Sequence, residues 1–125
     1  MARRYFPGFA LLFTLFFSYA CMKHDPYTKT CRISTGSSTT LAAGKVTYRL
    51  HSSGSVIIDT LSYYGPDGLV HVIKPTMPFL INADLAAGAS LGLMAAGTAI
   101  NGQFHIDHQF ITATDTIRAQ DICAN

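Results

Sequence analysis

The sequence contains no glutamate, and all seven of its acidic residues are aspartate. Lysine, glutamine and arginine are also scarce, whereas threonine, serine, isoleucine, glycine and tyrosine are abundant. Because the polar helix formers are few and strand or turn formers are common, the composition predicts an all-β protein.

Sequence signatures of enzymes are missing as well. Without glutamate the chain lacks one of the side chains that enzymes tune as a catalytic acid. There is no Gly-x-Ser-x-Gly elbow for a hydrolase nucleophile and no phosphate-binding glycine loop of the Walker or dinucleotide type. We therefore expect no enzymatic activity and no cofactor, and a hydrolase ranks last among the candidate functions.

The first 20 residues have the three-part layout of an export signal. Arg3 and Arg4 form a positive patch, residues 9–17 form an apolar run, and small residues follow. The run is shorter than the roughly 20 apolar residues that a transmembrane helix requires. We predict that residues 1–20 are a signal peptide that is removed on export.

Cys21 directly follows the predicted signal peptide, and two kinds of cleavage fit this bond. Ser18 and Ala20 suit an ordinary signal peptidase, whereas Ala20-Cys21 resembles the lipobox of bacterial lipoproteins. Ser18 and Tyr19 depart from the usual lipobox, but the Met-Lys-His-Asp after the cysteine is similar to lipoproteins of Bacteroidetes-type bacteria. We predict that Cys21 carries a lipid such as palmitate, which makes the membrane a partner and places the protein in the bacterial envelope, facing the periplasm or the cell surface.

The cysteine count agrees with this interpretation. The chain has three cysteines, and an odd number in an exported protein needs an explanation. Lipidation of Cys21 leaves Cys31 and Cys123 to form a disulfide in an oxidising compartment. Such a bridge would close a loop of roughly 90 residues, worth about 4–5 kcal/mol in the chain-entropy model. The alternative is that one or both cysteines stay reduced and buried.

The mature chain would have about 105 residues, which suffices for one domain with one core. Loss of Arg3 and Arg4 reduces the nine basic residues to seven, equal to the seven acidic ones. A net charge near zero predicts no nucleic-acid partner. We assign residues 21–43 to a lipidated N-terminus with a polar tether, and residues 44–125 to the folded domain.

Alternating and turn-forming residues divide this domain into short strands. Residues 45–51 alternate with period two and are followed by a predicted turn at 52–54. Residues 55–64 and 69–74 predict a hairpin around the Gly-Pro-Asp-Gly turn at 65–68. Prolines 75 and 78 mark the next boundary, after which residues 79–85 predict a strand.

The segment 85–100 is apolar and uncharged, so its period alone does not decide its structure. We interpret it as a strand with Leu91, Leu93 and Ala95 on one face, and a buried helix is the alternative. We further predict a two-residue hairpin turn at Asp107-His108 and a last strand over 116–123. Seven or eight short strands without helical spacers favour a two-sheet antiparallel β-sandwich.

Five motifs in the predicted domain carry a family resemblance: Val46-Thr47-Tyr48-Arg49-Leu50, the strand Ile58 to Tyr64, Met77-Pro78-Phe79, Ala95-Ala96-Gly97 and Ile106-Asp107-His108. Together they resemble the extracytoplasmic domain of the MmpS family, small accessory membrane proteins of mycobacteria, and related small lipoproteins of Bacteroidetes. The resemblance implies an Ig-like sandwich without a catalytic centre and, since mycobacterial members accompany large exporters, another envelope protein as partner. It also implies that Cys31 replaces the family's cysteine near Phe104 as the partner of Cys123.

Two groups of side chains are candidate sites. His105 and Asp107 point to the same side of a strand, and His108 at the predicted turn could join them on a metal ion. The alternative, which we favour, is a polar hairpin end without a metal. Tyr63 and Tyr64 are adjacent, so one of them must face outward from a strand and could form a contact surface.

The function predicted from these features is that of a non-enzymatic envelope lipoprotein. Its β-sandwich would serve as an accessory or interaction domain at the membrane surface. The alternative is a small-ligand or metal-binding extracytoplasmic module.

Overall fold

The computed structural model describes residues 28–125, in which every regular element is a β-strand. The strands are β1 (Thr28–Ser34), β2 (Ser38–Thr39), β3 (Gly44–Gly65), β4 (Gly68–Ile73), β5 (Phe79–Leu85), β6 (Ser90–Leu91), β7 (Leu93–Thr112) and β8 (Thr116–Ala124). No helix in this range is long and apolar enough to cross a membrane. The predicted signal peptide and Cys21 lie outside the described residues.

The predicted all-β class is confirmed, and its centre is a pair of unusually long strands. β3 and β7 pair antiparallel along almost their whole length, and β1, β4, β5 and β8 add to their outer sides in one six-stranded sheet. β2 and β6 form a separate two-stranded sheet. There Thr40, which is buried, donates its hydroxyl to the Ala86 carbonyl at 2.7 Å.

The six-stranded sheet doubles back on itself to form the sandwich. Tyr48 and Tyr63 are 15 residues apart in β3, which is about 50 Å along a straight strand. Their ring centroids are nevertheless 5.5 Å apart. The two halves of β3 therefore face each other across the core.

The bend in the two long strands lies at a β-bulge. Gly54 pairs with Gly102 and Ser55 with Ile100, so Asn101 is the extra residue on β7. Gly54 and Asn101 have φ values of 72° and 57°, in the left-handed region that glycine and asparagine tolerate best. A bulge increases local bending and twist, which lets one strand belong to both layers of a sandwich.

Each layer has four strands. The first layer consists of β5, residues 44–54 of β3, residues 102–112 of β7, and β8. The second layer consists of β4, residues 55–65 of β3, residues 93–100 of β7, and β1. The largest fully buried side chains lie between them: Tyr48, Phe104, Phe110, Leu50, Leu61, Leu85, Leu91, Leu93 and Ile106.

Two predicted turns are wrong, because the chain continues as a strand at both places. Residues 52–54 belong to β3, and Gly54 accommodates the bend instead of reversing the chain. Asp107-His108 lies inside β7, and the connection to β8 comes later, at residues 113–115. Asp107 points to the solvent face of β7, whereas His108 points inward and finds a hydrogen-bond partner in Thr35, so the strand accommodates both residues without a turn.

The other boundaries agree better with the sequence. The hairpin of residues 55–64 and 69–74 forms as predicted, with Gly65 paired to Gly68, and the strand over 79–85 coincides with β5. Residues 85–100 contain strands and no helix, with Leu91, Leu93 and Ala95 buried as expected. By contrast, residues 28–34, which lie within the predicted polar tether, form the strand β1 at the edge of the sheet beside β7.

Candidate functional site

Four polar side chains meet on the outer face of the first layer. Alternation along β3 turns Arg49 and His51 away from the buried Tyr48 and Leu50, and alternation along β7 does the same for His105 and Asp107. The register places His51 directly opposite His105, and Arg49 directly opposite Asp107. Residues far apart in sequence are therefore cross-strand neighbours.

The distances within this group are short. His105 Nδ1 lies 2.6 Å from His51 Nε2, and Arg49 Nε donates to Asp107 Oδ1 at 2.8 Å. The other carboxylate oxygen of Asp107 lies 3.6 Å from His51 Nε2 and 3.8 Å from His105 Nδ1. We call the three residues His51, His105 and Asp107 the histidine–aspartate cluster. Their ligand atoms are within 4.8 Å of one another, an arrangement able to hold a metal ion.

The cluster lies in a shallow depression whose other wall comes from β8. Its volume is about 530 Å³, and Arg118, Ala119 and Gln120 are among its lining residues. Gln120 Oε1 lies 3.1 Å from His105 Nε2. The side chains of His51, His105 and Asp107 are 54%, 22% and 13% exposed, respectively, so the carboxylate is the most enclosed of the three.

His108 does not join this cluster, so the candidate metal-ligand set of His105, Asp107 and His108 is not brought together. It points inward, is only 3% exposed, and its Nδ1 is hydrogen-bonded to Thr35 Oγ1 at 2.9 Å. Burial lowers the pKa of His108, an effect partly opposed by the nearby Asp107. The sequence-based prediction required a turn at residue 108, and a continuous strand sends His108 to the opposite face.

His51 was missed at the sequence level. It is the last outward-facing residue of the alternating stretch that begins at Lys45, and its sequence neighbours do not mark it as a site residue any more than those of Arg49 do. Its place in the cluster follows only from the register of β3 against β7, which spans 54 residues of sequence.

The predicted contact pair Tyr63 and Tyr64 divides as alternation requires. Tyr63 is 8% exposed and packs against Tyr48 and Phe79 in the core. Tyr64 is half-buried and points away from that core. Of the two, only Tyr64 remains a candidate for a contact surface.

The outer face of the second layer differs in character from that of the first. Its outward positions on β3 and β7 carry mainly apolar and hydroxyl side chains, whereas the first layer combines Lys45, Arg49 and the histidine–aspartate cluster with the exposed Leu80, Ile111 and Ile122. The exposed large apolar side chains on the outer face of the second layer are Ile57, Leu69, Ile73, Met94 and Ile100. We call this set the apolar face.

The predicted disulfide between Cys31 and Cys123 is present. It joins β1 of the second layer to β8 of the first, with a Cα–Cα distance of 6.0 Å and a sequence separation of 92. Cys31 is half-buried and Cys123 is buried, so the bridge closes one side of the sandwich against the core.

Comparisons with known proteins identify no relative. No protein-family model matches the chain, and neither the curated proteins nor the solved structures yield a match.

Proposed function

We propose that the chain is a non-enzymatic envelope lipoprotein, anchored through Cys21, whose β-sandwich contacts another envelope protein. The observation that carries the proposal is the Cys31–Cys123 disulfide, which joins both layers of the domain. Structural disulfides persist mainly in oxidising compartments outside the cytoplasm. Export by the N-terminal signal and use of Cys21 for lipidation account for the remaining cysteine.

The position of β1 supports a domain held close to the membrane. Thr28 follows Cys21 by seven residues, which span at most about 25 Å even when fully extended. Thr28 pairs with Ile100 beside the bend, and the Asn125 amide donates to the Gly102 carbonyl at 3.0 Å. Both ends of the domain therefore lie at the bend, and lipidation of Cys21 would orient the bend towards the membrane.

The apolar face supports an interaction role. Ile73 and Ile57 are 77% and 56% exposed, and they share this face with the half-buried Tyr64. Clustered apolar side chains on a sheet surface are typical of protein contact sites, whereas single exposed ones are not informative. The resemblance to MmpS-type accessory domains favours the same role.

Two measurements test the proposal. For the anchor, the mass of the mature N-terminus in its native host should show acyl chains on Cys21, and globomycin should block processing. Absence of acyl chains, or unchanged processing, would refute the anchor.

For the partner, a photo-crosslinking amino acid is placed at Ile73 and, as control, at Lys45 on the first layer. We expect a discrete crosslinked envelope protein from position 73 and none from position 45. Equal crosslinking from both positions, or none from either, contradicts an interaction role for the apolar face.

A further inference from the structure

We infer that the histidine–aspartate cluster is a binding site for a divalent transition-metal ion, Zn²⁺ or Cu²⁺. His51 Nε2, His105 Nδ1 and Asp107 Oδ2 would be its three protein ligands. Imidazole nitrogens with a carboxylate oxygen are a ligand set that suits these ions. The inference is independent of the proposed envelope role and of the lipid on Cys21.

The spacing of the ligand atoms fits such an ion after a small adjustment. Metal–ligand bonds of about 2.0–2.1 Å in a tetrahedral site place ligand atoms about 3.3 Å apart. The carboxylate oxygen lies 3.6 Å from one imidazole nitrogen and 3.8 Å from the other. The two nitrogens are 2.6 Å apart and share a proton without metal, so they must separate by about 0.7 Å. His51 is 54% exposed and can make this movement.

Two neighbouring residues orient the ligands. The side-chain carbonyl oxygen of Gln120 lies 3.1 Å from His105 Nε2 and can only accept a hydrogen bond. The neutral imidazole of His105 therefore carries its proton on Nε2. This leaves the Nδ1 lone pair of His105 directed at the site. Arg49 holds Oδ1 of Asp107 at 2.8 Å and leaves Oδ2 towards the histidines. Such outer contacts typically fix the orientation of metal ligands.

The site would be open rather than closed. Three protein ligands leave at least one coordination position, which faces the depression lined by Gln109, Arg118 and Gln120. Water or a small anionic group can occupy that position. The positive charge of Arg49 beside Asp107 weakens attraction for a cation, so we expect lower affinity than in a closed four-ligand site. The general order of stability predicts tighter binding of Cu²⁺ than of Zn²⁺.

The test is calorimetric titration of the full chain, purified in detergent with its disulfide intact, with Zn²⁺ and separately with Cu²⁺. We expect one ion per chain, and at least a ~10-fold loss of affinity in each of His51→Gln, His105→Gln and Asp107→Asn. Electron paramagnetic resonance of the Cu²⁺ form should show coupling to two nitrogens, reduced to one in His105→Gln.

Matched variants separate this site from other histidines. His71 lies on the second layer, hydrogen-bonded to Ser62 at 2.7 Å, and His71→Gln should bind like the wild type. His24→Gln, which alters a histidine outside the described residues, should also have no effect. Gln120→Ala keeps all three ligands and should lower affinity about 10-fold or more.

Several results would overturn the inference. The inference is wrong if the wild-type chain shows no stoichiometric binding, if the ligand variants bind as tightly as the wild type, or if binding is lost in His24→Gln or His71→Gln. Thermal unfolding without metal shows whether each variant is folded. If a ligand variant does not fold, Gln120→Ala decides: undiminished binding in that variant refutes the site.

Discussion

The hydroxyl of Tyr48 in the first layer donates a hydrogen bond to the carbonyl oxygen of Tyr64 in the second, at 2.7 Å. The same hydroxyl lies 3.4 Å from the Gly92 amide, which donates to it. Burial raises the pKa of Tyr48, an effect opposed by the hydrogen bond from Gly92. The buried hydroxyl of Tyr48 thus links the two halves of β3 across the sandwich, and it also links them to Gly92, the residue before β7.

We predict that Tyr48→Phe lowers the free energy of unfolding by about 1–2 kcal/mol. The ring still fills its place, but a carbonyl and an amide inside the protein lose their partner. Urea unfolding measures the change. Tyr63→Phe is the matched control, because Tyr63 is also buried but makes no hydrogen bond through its hydroxyl among residues 28–125. Equal effects of the two substitutions would contradict the role assigned to Tyr48.

The Cys31–Cys123 bridge gives a second prediction. Replacing both cysteines with serine should lower the free energy of unfolding by up to about 4–5 kcal/mol, because the bridge closes a 92-residue separation and restricts the unfolded chain. The melting temperature of the double variant, compared with that of the wild type with and without reductant, measures this. Cys21→Ser should leave the melting temperature unchanged. A wild-type protein insensitive to reductant and identical to the double variant would contradict a stabilising bridge.

Strand composition and period were sufficient to predict the all-β class, the hairpin at 65–68 and the strand at 79–85. They could not predict that β3 and β7 each run through both layers. A bulge at Gly54 and Asn101 has the same local residues as a turn, and only tertiary packing decides between them. The histidine–aspartate cluster depends on that result. A turn at residue 108 would place His108 beside Asp107, whereas the continuous strand buries His108, and only the register of β3 against β7 brings His51 opposite His105.

The bend provides a third prediction, at Gly102. A β-carbon at this position would lie 2.6 Å from the Ser53 carbonyl oxygen and 2.8 Å from the Ser55 amide nitrogen, both of which are backbone atoms. Gly102→Ala should therefore destabilise the protein by about 1–3 kcal/mol. Gly65→Ala is the control, because the nearest atom to its added carbon would be 3.7 Å away. Urea unfolding of both variants checks this, and a Gly102→Ala protein as stable as Gly65→Ala would show that the bend tolerates a side chain.

The buried His108 provides the last prediction, which concerns pH. Burial lowers its pKa in the folded protein below the 6.5 of an exposed histidine, so the unfolded chain binds a proton more readily. The stability due to neutral His108 is therefore complete above about pH 6.5 and is lost as the pH falls towards the lowered pKa. Glutamine does not titrate, so His108→Gln does not lose stability in this way. The difference in free energy of unfolding between the wild type and His108→Gln, measured by urea unfolding, should therefore be smaller at pH 5 than at pH 7. Parallel stability curves for the wild type and His108→Gln from pH 7 to pH 5 would mean that burial does not suppress protonation of His108.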